Sequence, residues 1–159
     1  MAADRKFDRT RVGCQGRPVR VLGLDVGTKT IGVAVTDELH ITISPREIIA
    51  ADAPDLWDVV RRLVAFDRLG ALVVGVPVRE DGTKSAIVKK IEKFIEELRG
   101  QIEIPVIEYD ESFSTQAAFQ TMIAGGMKKK QRQQKGTKDK IAAAVILRDF
   151  LQDFEREIY

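Results

Sequence analysis

Val21-Leu22-Gly23-Leu24-Asp25-Val26-Gly27-Thr28-Lys29-Thr30-Ile31-Gly32-Val33-Ala34-Val35 is the stretch that decides the fold of this chain. From Val21 to Gly27 every residue but Asp25 is apolar or glycine, as in a strand covered on both faces. Gly27-Thr28-Lys29 is turn-like and Thr30 to Val35 makes a second strand, so the stretch reads as a hairpin. One carboxylate stands inside it. A charge within an apolar strand is costly unless something pairs with it. Asp25 therefore needs either a turn to cap or a cation to hold.

Working outward, a third strand is expected around Ile41 to Ile49. Pro45, which lacks a ladder donor, marks it as an edge strand or breaks it there. Pro54 stands before a helix with Leu56, Trp57, Val60, Leu63 and Val64 on one face and Gly70 beyond its end. A fourth strand runs over Ala71 to Val76. Ile87, Val88, Ile91, Phe94, Ile95 and Leu98 keep a 3.6 period, and Gly100 is expected to stop that helix. A fifth strand covers Ile104 to Tyr109, a short helix Gln116 to Ile123, and a last helix opens at Asp139. Crossover rules place the strands that follow helices parallel to the first strand, which is central. The expected architecture is α/β, a five-stranded mixed sheet with helices on both faces.

The chain has 24 acidic residues, so singling out a few needs a reason. Asp110-Glu111 closes the fifth apolar run. Adjacent residues of an extended chain point to opposite faces, so one of the pair joins Asp25, and parity alone does not say which. Asp139 shares a helical face with Ala142, Ala143, Ile146 and Phe150. An acid in a first turn already favours the helix dipole, but small Ala residues behind it suggest close packing on the sheet. Parallel strands and the start of the last helix meet at one sheet edge, where open α/β sheets place their sites. Carboxylates converging there would repel one another unless a divalent cation sat among them.

Bulk properties narrow the chemistry. The chain has 159 residues, 44% of them hydrophobic and 31% charged, ordinary for one globular domain. It is expected to comprise a basic, flexible leader over 1–18 and a single domain over 19–156. No apolar stretch reaches membrane-span length, and the start of the chain has no secretory apolar segment, so a cytoplasmic protein is expected. One cysteine, Cys14, and one histidine, His40, cannot build a Cys/His zinc site or an internal disulfide. His40 reads as a turn residue. The net charge is only +2, but 127–136 carries Lys128, Lys129, Lys130, Arg132 and Lys135 and no acid. Such runs commonly form a solvated face, and this one is expected to be a mobile basic loop; its position just before Asp139 suits phosphate binding. Lys29 after Asp25, and Lys84 in the loop Gly75 to Ser85 that leads to a helix N-terminus, are further anion-binding candidates. Neither loop is a Walker motif.

Taken together, Leu24 to Val35, Gly75-Val76-Pro77 with Asp81-Gly82-Thr83, Tyr109-Asp110-Glu111-Ser112-Phe113-Ser114-Thr115, and Lys138-Asp139 through Leu147 resemble the motifs of the YqgF family, also called RuvX, in that family's order. The resemblance implies an RNase H-like fold and a nuclease that matures the 5′ end of precursor 16S rRNA, with Holliday junction resolution as the older inference. Carried over, Asp25, Glu111 and Asp139 would be catalytic and, with Asp110, would ligate Mg2+ or Mn2+, as a pair of ions. Lys138 would join the basic residues on the nucleic acid. Family members commonly carry Arg after the Asp-Glu pair; here Ser112 stands in that place. The expected partner is nucleic acid, precursor rRNA or branched DNA, with no membrane, and the protein is expected to be a monomer or weak homodimer. Rival classes are an actin-like ATPase, which would need a second such domain, and an RNA- or ribosome-binding module without turnover.

Overall fold

The computed structural model describes residues 20–66, 69–77, 82–111 and 137–156, with residues 66, 111, 137–140 and 154–156 as backbone. The elements are β1 (Arg20–Val26), β2 (Thr30–Thr36), β3 (Ile43–Ala50), α1 (Leu56–Phe66), β4 (Leu69–Pro77), α2 (Ala86–Gln101), β5 (Val106–Glu111) and α3 (Thr137–Arg156). They build one five-stranded sheet in the order β3-β2-β1-β4-β5, with β1 at its centre. β1 and β2 form the expected antiparallel hairpin, and β4 and β5 run parallel to β1.

Arg20 and Asp25 aside, the central strand is apolar because it is covered on both sides. Leu22, Leu24, Leu72, Val74 and Val76 pack with Leu56 and Val60 of α1 and with Val88, Ile91, Phe94, Ile95 and Leu98 of α2. Trp57 and Phe94 stack at 5.4 Å between those two helices. Val21, Ala34, Ala71 and Val73 belong to the opposite face and pack with Ala143, Ala144, Ile146, Leu147, Phe150 and Leu151 of α3. In β2 the same alternation gives Val33 and Val35 to the first face and Ala34 to the second.

Pro45 does both things expected of it. β3 is an edge strand, and the β2–β3 register slips between Gly32 and Ala34, next to the Ala34–Pro45 pair. Three boundaries differ from expectation. Gly70 lies inside β4, which starts at Leu69. Gly100 sits within the last turn of α2; the helix runs on to Gln101, and the Ile102 N–H closes it on Leu98 O. The fifth strand starts after Pro105, whose carbonyl accepts the Leu72 N–H at 2.9 Å, and it continues through Asp110 and Glu111. The short helix expected over Gln116 to Ile123 lies outside the described residues.

Candidate active site

The register locates the acids. Leu24, Val74 and Glu108 form one row across β1, β4 and β5, and Gly75 pairs with Tyr109, Val76 with Asp110 and Pro77 with Glu111. Counting outward, Asp25 belongs to the row of Gly75 and Tyr109, and position 111 lies two rows nearer the same edge. Side chains alternate along a strand, so Asp25, Tyr109 and position 111 share a face, while Asp110 falls on the other. The first of these is the α3 face, because Val21, Val73, Ile107 and Tyr109 all pack there. Asp110 has the parity of Val106, which belongs to the α1/α2 core, and its side chain is exposed. Two strand spacings and two residues of rise separate positions 25 and 111 by about 12 Å.

Asp139 lies in the first turn of α3. One turn further on, the helix presses on the central strand at Gly23. A Cβ built there would stand 2.5 Å from Leu147 Cγ and 3.0 Å from the Ala143 carbonyl oxygen. Only glycine permits that approach. Position 139 is one helical turn, about 6 Å, before Ala143. Asp25 is two strand residues, about 7 Å, beyond Gly23. A single close contact thus lies one short step from each acid position.

The turn after Asp25 is held from several sides. The Gly27 N–H donates to Thr30 O at 2.8 Å, and a Cβ on Gly27 would come within 2.9 Å of that oxygen. The Ala51 N–H donates to Lys29 O at 2.9 Å, and Lys90 Nζ donates to Thr28 O at 2.6 Å. The Lys29 side chain is exposed. Lys84 is exposed and paired with Glu92 at 2.7 Å, and the hydrogen bond to Glu92, with its charge, raises the lysine pKa.

Two features were not visible in the sequence. Tyr109, in the row of Asp25, donates its hydroxyl to the Asp153 carboxylate and meets Phe150 edge-on at 5.9 Å. Burial first, then the bond to Asp153, pushes its phenol well above the ordinary range. Lys90, the second, is anchored across 62 positions of sequence to the Asp25 turn. His40, as expected, is a turn residue, with φ 57°. Asp37 Oδ1 accepts the Ile41 and Thr42 N–H groups in that turn, which lies at the end of the sheet away from Asp25.

Among the described residues there is no group of three or more His, Cys, Asp or Glu side chains able to hold a metal. Of the four candidate acids, Asp25 and Asp110 are those with described side chains. The candidate donor set fits Mg2+ or Mn2+, being entirely carboxylate oxygen, and Asp25 stands partly buried at the sheet edge. Lys138 lies in the first turn of α3; Cys14, Ser112, Lys128, Lys129, Lys130, Arg132 and Lys135 lie outside the described residues. No helix among the described residues is long and apolar enough to cross a membrane.

Known proteins are similar to this chain in sequence and in fold. A relative from Geobacillus kaustophilus, named "Putative pre-16S rRNA nuclease", is 42% identical over 136 residues, covering 84% of this chain and 97% of its own. One of the same name from Chlorobium luteolum is 37% identical over 135 residues, covering 84% and 94%. In fold, the chain is similar to the Fowlpox virus resolvase solved with Holliday junction DNA, with TM-score 0.51, 16% identity and coverage of 86% of this chain and 99% of that one. It is also similar to Thermus thermophilus RuvC in complex with a Holliday junction substrate, with TM-score 0.51, 15% identity and coverage of 80% and 91%. The fold is therefore RNase H-like. Residues 19–153 match the family described as "RuvX: Holliday junction resolvase", and the chain belongs to the RuvX family.

Proposed function

We propose that this protein is a divalent-cation-dependent nuclease that hydrolyses phosphodiester bonds at the 5′ end of precursor 16S rRNA, in the cytoplasm. The observation that carries the reading is the placement of Asp25, position 111 and the first turn of α3 around one edge and one face of the sheet. The names of relatives at 37–42% identity supply the substrate.

In this reading Asp25, Glu111 and Asp139 hold the cations, and register parity favours Glu111 over Asp110. Bound Mg2+ or Mn2+ supplies activation of water and stabilisation of the leaving oxygen. The chain's own contribution is positional. β1 and β5 are non-neighbouring strands fixed in register through β4, so the backbone at Asp25 and Glu111 keeps its spacing without a ligand. Gly23 lets α3 sit close enough to bring Asp139 to the same edge. Exposed Lys29, in the turn just after Asp25, is the cation proposed to meet the nucleic-acid backbone, with Lys138 and the basic residues Lys128, Lys129, Lys130, Arg132 and Lys135 as further proposed contacts. Asp110, exposed beside Glu111, lies outside this set.

The test is incubation of the full chain with precursor 16S rRNA bearing its 5′ extension, and separately with a four-way DNA junction, with and without Mn2+. Cation-dependent shortening of the RNA extension is the expected result. Paired incisions in the junction with intact RNA would move the substrate to branched DNA, which the family description favours. Neither substrate cut at any cation concentration would overturn the nuclease reading.

A further inference from the structure

We infer that Lys90, with Lys93 on the next turn of α2, forms a phosphate-backbone contact that carries the nucleic-acid path from the Asp25 edge onto α2. This deepens the nuclease reading and rests on it.

The Lys90 ammonium is held at the edge, donating to Thr28 O at 2.6 Å. Thr28 follows Asp25 by three residues, so the ammonium lies no more than about 16 Å from the Asp25 Cα, the limit set by chain reach plus the hydrogen bond. Its acceptor is a neutral carbonyl, so the bond fixes the charge in place without cancelling it. Lys89, also on α2, is exposed and likewise in no ion pair among the described residues, whereas Lys84, just before the helix, and Arg99 are paired. Lys84 is neutralised by Glu92 at 2.7 Å, and Arg99 lies 3.6 Å from Glu108 while also donating to Val106 O. Among the described residues no ion pair involves Lys29, Lys90 or Lys93, and all three side chains are exposed.

The positions are not scattered. Val88, Ile91, Phe94, Ile95 and Leu98 are the buried face of α2; Lys90 stands on the flank that reaches the β1–β2 turn, and Lys93 lies one turn on, nearer the solvent pole of the helix. Lys84 and Glu92 take the other flank, whose electrostatic neighbour is Glu108 of β5. Acids on α2 nearest the Lys90 flank come later, at Glu97. Cations outside any ion pair among the described residues thus stand at the turn from two elements, Lys29 from the turn itself and Lys90 from the helix, with Lys93 one turn further along α2. The partner this chemistry fits is a polyanion running over the edge, with phosphates spaced to meet successive ammonium groups. A strap that merely held the turn would need Lys90 alone and would have no use for its charge.

The test separates charge from strap. The full chain in EDTA, which prevents cleavage, is titrated against a fluorescent 5′ fragment of precursor 16S rRNA across a range of KCl concentrations. Each single-strand phosphate contact contributes about 0.7 to the slope of log affinity against log salt. The Lys90→Met/Lys93→Met protein should show a slope shallower than wild type by about 1.4, Lys90→Met and Lys93→Met alone each by about 0.7, and Lys90→Arg the wild-type slope. Measurable wild-type binding with an unchanged slope in the double variant would overturn this assignment and leave the nuclease reading standing. A Lys90→Arg slope as shallow as that of Lys90→Met would show a strap and overturn it too. Absence of salt-dependent binding by the wild type would overturn both.

Discussion

The two faces of the sheet are made of different material. The α1/α2 face is filled by Leu, Ile, Val and Phe, with Trp57 on Phe94, and its helices stand off the sheet by the depth of those side chains. The α3 face mixes Ala34, Ala71, Ala143 and Ala144 with Val73, Ile146, Leu147 and Phe150, and at Gly23 the helix comes up against the strand backbone. Bulk on one side supplies the apolar area that holds the domain together. Small residues on the other let a helix end come close to a strand end, the edge where the proposed catalytic acids lie. On that proposal, stability and chemistry are largely divided between opposite sides of one sheet.

That division can be broken by substitution. Asp25→Asn is expected to lower metal-dependent cleavage at least a thousandfold, about 4 kcal/mol of transition-state stabilisation, with the thermal midpoint little changed. Asp110→Asn, on the opposite parity, should keep most activity in the same assay; equal loss in both would end the parity argument. Leu98→Ala, in the bulky face, should cost about 2–5 kcal/mol in urea denaturation and leave the cleavage rate of the folded protein near wild type. Gly23→Ala should do both kinds of damage. Overpacking against Leu147 and the Ala143 carbonyl is expected to cost about 1–3 kcal/mol, and displacing α3 should depress cleavage as well. Retained activity in a destabilised Gly23→Ala protein would detach α3 placement from catalysis.

The smallest effect is expected at Tyr109→Phe, which removes the hydrogen bond to Asp153 and should cost about 0.5–1.5 kcal/mol. Its pH dependence has a definite sign. The folded state raises the phenol pKa, chiefly by burial, so the contribution is complete below the unfolded value near pH 10 and fades as the pH climbs past it. Wild-type stability should therefore fall on the alkaline side, and the fall should be shallower in the Phe variant. Identical alkaline limbs would mean that Tyr109 is not the group being titrated.

Much of this was legible in the chain. The hairpin at Val21 to Val35, the central position of β1 and the parallel strands after each helix follow from apolar runs, turn residues and crossover geometry. What the sequence left open was relative placement. The choice between Asp110 and Glu111 needed the register of β5 on β4, and that strand starts two residues later than its apolar run suggests because Pro105 stands before it. Tyr109 and Asp153 are 44 positions apart, and no local pattern joins them. Lys90 looks like any solvated helix lysine until α2 is laid over the sheet beside Thr28. Local order is written in short windows; contacts between elements are not.

The exposed strand β3 bears on how copies of this protein could meet. Pro45 offers no N–H, Arg46 and Glu47 are charged and exposed, and the adjoining register slips, so this border resists zipping onto a neighbouring sheet. A twofold pair suited to cutting two strands of a symmetric substrate would have to be joined through some other surface, whereas an enzyme trimming one RNA end has no need of a twin.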